Sequence, residues 1–227
     1  MLSPDSNLMV KQLTTDKYDK LLPFFQLICL EADQLIFRPH EAIQFVFFPV
    51  SAIIAMQIDI SDGSSADIVL IGKEGMVGSG VMGGNQNFSR ARVRFPGFAY
   101  KLPLGVFQSE LAQDRAFLKI WMATTRQMIL QIAMPAVCSS KHSNEQQIIR
   151  WIMNTLDKTQ GQTLQITHQE IADTLGIRRE SVTLAAGKLA QERLIEVTRG
   201  QLQVLDRPKL EARACECYRV MHPATQH

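Results

Sequence analysis

Absences narrow this 227-residue sequence first. No stretch approaches the roughly 18 consecutive apolar residues of a membrane-spanning helix, so no membrane partner is expected. The first residues, MLSPDSNLMVKQL, hold no basic segment followed by an apolar one; no secretory leader and a cytoplasmic location are therefore expected. Cysteine is scarce and scattered, at Cys29, Cys138, Cys215 and Cys217. In a reducing compartment such residues are free thiols by default. Cys215-Glu216-Cys217 is too short a loop for a disulfide and has no second Cys/His pair at zinc spacing, so neither a metal nor a cofactor is predicted. Phosphate-cradling glycine loops and nucleophile elbows are missing too, and the chain is not expected to be an enzyme. Charge of one sign is also lacking. The 24 Lys and Arg against 22 Asp and Glu leave a net +2, which does not announce a nucleic-acid binder. Residues 1–140 carry 12 basic and 12 acidic side chains and residues 141–227 carry 12 and 10, so locally placed arginines matter more than the total.

At 46% hydrophobic and 20% charged, the composition is that of an ordinary globular protein. Residues 1–30 begin polar and then read as helical, with Leu21, Leu22, Phe25 and Ile28 on a stripe. From about Gln34 the period shortens. Apolar or alternating runs at 35–37, 42–48, 53–58, 66–71, 91–95 and 99–102 are separated by Pro39-His40, Pro49-Val50-Ser51, the 61–65 segment, glycine-rich 78–84 and Pro96-Gly97. Repeated short strands with turn signals between them predict a β-barrel or β-sandwich. Helical periodicity returns from Val106 to about 137, and Pro135 should bend or end that helix. A helix this long has more apolar surface than one neighbour covers, and Phe117, Trp121, Thr124, Met128 and Ile132 are the candidate interface with a second copy. A further helix is read at 143–157 and a last one at 207–220.

The stretch from Leu164 to Leu194 carries the chemistry. Thr167 and Glu170 stand three apart ahead of an apolar run, the spacing of a capping box. Ile171, Ala172 and Leu175 form one apolar face, and Gly176 suits a left-handed helix end. A second helix begins near Arg178. Val182, Ala185, Ala186 and Leu189 face inward, leaving Arg179, Glu180, Thr183 and Lys188 outward. Two helices with a glycine turn, the second led by Arg and Glu, fit a helix-turn-helix. Then 195–197, a turn at Thr198-Arg199-Gly200 and an alternating 201–205 read as a β-hairpin wing with Arg199 at its tip.

Together these motifs resemble the Crp/Fnr family of bacterial transcription regulators across nearly the whole chain. Further matching pieces are Phe48-Pro49, Gly72 to Gly78, Pro96-Gly97, the Cys138…His142-Ser143…Glu145-Gln146 junction and Leu205 to Tyr218. The resemblance implies an α+β fold: an N-terminal double-stranded β-helix of the cyclic-nucleotide-binding-like β-roll type (residues 1–104), a long dimerisation helix with a hinge (105–140), and a C-terminal winged helix-turn-helix (141–227). It implies a homodimer on double-stranded DNA, with RNA polymerase and an unidentified small-molecule effector as further partners. Arg179 and Glu180 match the family's base-reading positions, and their chemistry agrees. An Arg fork reaches guanine O6 and N7, and a carboxylate accepts from cytosine N4. Thr183 and Leu184 complete the base-reading set. Leu184 departs from the family, where a further Arg is common, and its apolar tip suits a thymine methyl. Thr167, His168, Gln169, Arg178, Ser181, Lys188 and Arg199 are the implied phosphate contacts.

The sensory end departs further. Gly78-Ser79-Gly80 and Ser89-Arg90-Ala91 stand where cyclic AMP-binding members carry a ribose-holding Glu and a phosphate-pairing Arg. Arg90 is one position out, which on a strand turns a side chain to the opposite face. Gly78, Ser79, Gly80, Ser89 and Arg90 thus outline an effector pocket without its charge-assisted pair. No cysteine precedes Cys29, so the iron–sulfur cofactor of some members is not expected. An alternative reading makes the chain a sensor whose DNA binding is gated by a ligand or by its thiols, Cys138 above all. Calorimetric titration with cyclic AMP is expected to give no saturable binding; micromolar affinity would contradict this reading of the pocket.

Overall fold

Period-two patterning builds the first half of the chain. In the computed structural model, which describes residues 2–61, 65–78, 88–159 and 161–221, the alternating runs become two antiparallel sheets. One has the order β1 (Gln26–Leu30), β7 (Gly97–Pro103), β3 (Phe45–Pro49). The other has the order β2 (Leu35–Phe37), β6 (Arg90–Phe95), β4 (Ile53–Asp59), β5 (Ser65–Ile71). Side chains alternate across a strand, and on β3 and β7 this sorts residues into two cores. Val46, Phe48, Tyr100 and Leu102 join Phe107, Leu111 and Phe117 from α2 (Leu104–Gln113) and the start of α3 (Arg115–Lys141). Ala99 joins Ile54, Ala91 and Val93, with Phe47 packed against them. The three-stranded sheet therefore separates an inter-sheet core from a sheet–helix core. Gly97 permits a close crossing: a Cβ there would lie 2.6 Å from the Ala52 nitrogen and 2.7 Å from Ser51 Oγ.

The chain divides into two units, Met1–Ile129 and Leu130–His227. In the first, the N-terminal stripe is only partly helical. α1 covers Thr15–Leu21, and Pro23 then sits in a 3-10 turn at Leu22–Phe24, which puts Ile28 in β1. Asn7, fully buried, ties this segment to the sheets. Its amide donates to the Pro49 and Gly75 carbonyls (2.9 Å each), and its oxygen accepts from the Met9 amide (3.0 Å). A buried amide without such partners would be costly.

The helical stretch from 106 is not one helix. Asp114 takes an extended backbone after α2, and its carboxylate accepts from the amides of Ala116 (2.7 Å) and Phe117 (3.1 Å), starting α3 afresh. Nor does Pro135 stop α3, which runs on to Lys141. Proline removes one N–H from the ladder, and the turns around it are held by packing: Met134 lies against the cluster of Cys138, Cys215 and Cys217.

The second unit centres on α4 (Asn144–Lys158), capped by Ser143 and Gln146 in a reciprocal box. Ten of its fifteen residues are buried, so it needs cover on nearly every side. The cover comes from α5 (His168–Leu175), α6 (Arg179–Gln191), α7 (Arg207–Ala212) and α8 (Glu216–Met221). The wing strands β9 (Ile195–Thr198) and β10 (Gln201–Val204) stand where the alternation put them. A third strand, β8 (Thr163–Gln165), pairs with β10; at three residues it is too short to show a period. The expected last helix is two, broken between Ala212 and Glu216, and the break carries Cys215 into the interior.

Lys17 hydrogen-bonds Asp114 (2.8 Å) and Glu110, and Lys20 lies 2.6 Å from Glu110. The Lys17 ammonium, then the Phe117 amide, holds the Asp114 carboxyl down at about 2; Lys17 and then Lys20 lower that of Glu110. A carboxylate depressed on folding stabilises above its unfolded pKa of about 4, and that stability goes as pH falls through the folded value. Thermal melts of the chain should therefore show Tm falling between about pH 4 and about pH 2, and Asp114→Asn should remove part of that slope.

Candidate nucleic-acid interface

The interface is built from one helix turned inward and another presented by it. α5 opens with the capping box: Thr167 Oγ1 accepts from the Glu170 amide (3.2 Å) and Glu170 Oε2 accepts from the Thr167 amide (2.7 Å). It ends at Gly176, whose φ of 65° and ψ of 31° lie in the left-handed region. Ile177 then returns its amide to the Ala172 carbonyl (3.1 Å), and Arg178, in extended conformation, leads into α6. Val182, Ala185, Ala186 and Leu189 are buried. Since i, i+3, i+4 and i+7 share one helix face, the opposite face carries Arg179, Glu180, Thr183, Leu184 and Lys188, all exposed. Leu184 is 77% exposed.

Thr167, His168, Gln169 and Arg179 share the rim of a concavity with Ile166 and the wing residues Val197, Thr198 and Gly200. Arg199 stands exposed at the hairpin tip, where Gln201 pairs with Thr198. His168 differs from the expectation that its side chain meets phosphate. Its Nδ1 lies 3.1 Å from Thr183 Oγ1, and that hydroxyl donates to the Arg179 carbonyl (3.1 Å), which leaves it to accept from Nδ1–H. Burial, then the Arg179 charge, lowers the imidazole pKa, so the ring is neutral and its Nε2 is a bare acceptor. It pins α5 to α6 instead of offering a cation. Lys188 is similarly drawn aside: its ammonium pairs with Glu145 at 2.9 Å, beside Arg213 on the same carboxylate. Gln169 donates to Asp173 within α5 (2.7 Å), while Arg178 is exposed and Ser181 half-buried at the α6 start.

Other expected sites are redistributed. Phe117 belongs to the first unit's core, against the Phe107 ring, and so is not presented to a second copy. Trp121 and Met128 are half-buried against the two cores of that unit, and Thr124 is half-buried. Ile132 is exposed, as are Met122, Ile129 and Val137. The outward apolar face of α3 is thus rotated from the expected one, because the sheet–helix core claims the first. Of the pocket residues, Ser79 and Gly80 lie outside the described residues. Gly78 has a φ of 100°, and Arg90 pairs with Asp59 across the sheet, so an anion there would have to displace a carboxylate.

The expectation that the cysteines lack a second Cys/His pair does not hold. Cys138 and His142, four apart, meet Cys215 and Cys217, and the four donor atoms lie within 4.8 Å of one another. The two pairs are far apart in sequence, but the i, i+4 spacing of Cys138 and His142 at a helix end is a usable signal. Burial pushes the Cys138 thiol up, and burial together with the neighbouring thiols pushes Cys217 up to about 12.

Residues 146–213 match the model of the Crp-like helix-turn-helix domain, and this part of the chain is such a domain. No curated protein sequence matches. The fold is shared with solved Crp/Fnr structures. A candidate transcriptional regulator of that family from Eubacterium rectale superposes with a TM-score of 0.68 at 15% identity, over 92% of this chain and 98% of the other. FixK2 from Bradyrhizobium japonicum gives 0.69 at 13%, over 84% and 98%. A Crp/Fnr-family regulator from Thermus thermophilus gives 0.65 at 19%, over 83% and 98%. Among the described residues no helix is long and apolar enough to cross a membrane.

Because Thr167 holds the entry to α5, Thr167→Ala should cost about 1 kcal/mol of stability in the second unit, read by urea unfolding. An unchanged midpoint would mean that the cap contributes nothing.

Proposed function

We infer that this chain is a transcription regulator of the Crp/Fnr type, acting as a homodimer on a near-palindromic site in double-stranded DNA. The observation that carries the reading is the outward face of α6. Arg179 and Glu180 stand exposed at its N-terminal end, held there by an inward face that is fully buried. In a helix-turn-helix that end enters the major groove and meets base edges. The Arg fork suits guanine O6 and N7, the Glu carboxylate cytosine N4, and Leu184 a thymine methyl. Thr183 lies on the same face, but its hydroxyl is shared with His168 and Arg179. Thr167, Gln169, Arg178, Ser181 and Arg199 surround this face as phosphate-positioning groups. Lys188 joins them by exchanging Glu145 for phosphate.

Dimerisation is assigned to α3. Met122, Ile129, Ile132 and Val137 are exposed apolar side chains on this helix, and a second copy supplies the same residues by symmetry. The division of labour follows: sensing in 1–104, dimerisation in 105–140 and DNA reading in 141–227. Two copies related by a two-fold axis read half-sites about 34 Å apart. Cyclic AMP is not the effector of this reading. RNA polymerase and an unidentified small molecule remain its further partners.

Selection from random duplex DNA at moderate salt should enrich a palindrome. Arg179→Ala should cost about 1–3 kcal/mol and relax preference at one symmetric base pair. Enrichment of no palindrome sinks the reading; a uniform loss across all sequences makes Arg179 a phosphate contact.

A further inference from the structure

We propose that Cys138, His142, Cys215 and Cys217 form a tetrahedral Cys3His site for one zinc ion in the DNA-binding unit. The distances have the size that one bound ion requires. A tetrahedron with zinc–sulfur arms of about 2.3 Å and a zinc–nitrogen arm of about 2.0–2.1 Å has sulfur–sulfur edges of about 3.8 Å and sulfur–nitrogen edges of about 3.6 Å. Cys138 Sγ and Cys215 Sγ lie 3.7 Å apart, and Cys217 Sγ lies 3.6 Å from His142 Nδ1. All four donors fall within 4.8 Å of one another, close enough for small shifts to bring them onto one ion.

The surroundings have the form of an outer shell. His142 turns Nδ1 to the sulfurs, while its Nε2 lies 3.2 Å from Glu216 Oε2. A carboxylate behind the far nitrogen fixes the tautomer that leaves Nδ1 free to coordinate. The glutamate sits between the two cysteines of the 215–217 pair, so one short segment supplies two ligands and the support for a third. Three thiolates on a divalent cation leave a net charge of −1. Arg150, itself buried, donates from Nε to Cys138 Sγ at 3.2 Å and balances that charge. Simple packing of thiols calls for neither a guanidinium on one sulfur nor a carboxylate behind the histidine. Three soft sulfurs and one imidazole select zinc over calcium or magnesium, which take oxygen. Zinc displaces the thiol protons on binding, and no other chemistry is required.

The test uses the full wild-type chain and two probes, Zn(II) and Co(II). The isolated chain should carry one equivalent of zinc by elemental mass spectrometry. After stripping with a chelator it should bind one equivalent of Co(II), with a thiolate-to-cobalt charge-transfer band and intense visible absorption of tetrahedral geometry. Cys217→Ser and His142→Ala, folded by circular dichroism, should lose the zinc. Glu216→Gln should keep it with about tenfold weaker affinity. A wild-type chain that neither carries zinc nor gives the cobalt spectrum overturns the site, whatever the variants do. Full zinc retention in both ligand variants overturns it as well. So does a Cys138–Cys215 disulfide in the freshly isolated chain, seen as two thiols that resist alkylation under denaturing conditions with chelator.

Discussion

The all-round burial of α4 is the constraint on which the second unit depends. A fifteen-residue helix with ten buried positions cannot stand at a surface, and four of those positions are polar: Gln147, Arg150, Thr155 and Lys158. Each has a partner within the same unit. Gln147 donates to the His142 carbonyl (3.0 Å), Arg150 to Cys138 Sγ (3.2 Å), Thr155 to the Trp151 carbonyl (2.8 Å) and Lys158 to Gln131 (3.1 Å). Buried polar groups are tolerated when satisfied in this way. The helix therefore fixes where the last turns of α3, α6 and the C-terminal helices must lie.

α6 inherits its orientation from that packing. Ala185 and Ala186 are small, so its axis comes close to α4, and the side chains that remain point away. His168 adds a polar pin between α5 and α6, neutral because it is desolvated and faces Arg179. Orientation is thus set from the protein side before any ligand arrives, which spares ordering cost on association. The first unit solves a different problem with similar means. One sheet divides two cores, and alternation on β3 and β7 decides which residue serves which.

The sequence spoke most clearly where one period dominates. The capping box at Thr167 and Glu170, the glycine turn, the buried face of α6 and the wing hairpin all lie where residue spacing put them. The strands from β2 to β7 were legible from alternation and their turn residues, whereas β1 lies in a stretch whose spacing reads as helical. Four things were not. Asp114 breaks a periodic helix by a side-chain cap that hydrophobic spacing does not register. Pro135 signals a bend or an end, and α3 continues through it to Lys141. On α3, spacing cannot tell which residues the protein's own core will claim, and Phe117 is one that it does. The Cys/His cluster was missed because its two halves are 77 residues apart in sequence, and only the fold brings them together.

That separation has a consequence for how the unit comes together. Between Cys138 and Cys215 lie α4, the whole helix-turn-helix and the wing. Any bond that ties the two cysteines encloses this segment as a single loop. By chain-entropy estimates, closing a loop of such length restrains the unfolded chain by roughly 4–5 kcal/mol. The ligands at 215 and 217 also follow the wing in synthesis order, so the clasp can close only after every element inside it exists. The helix-turn-helix segment would be sealed last, as a finished package.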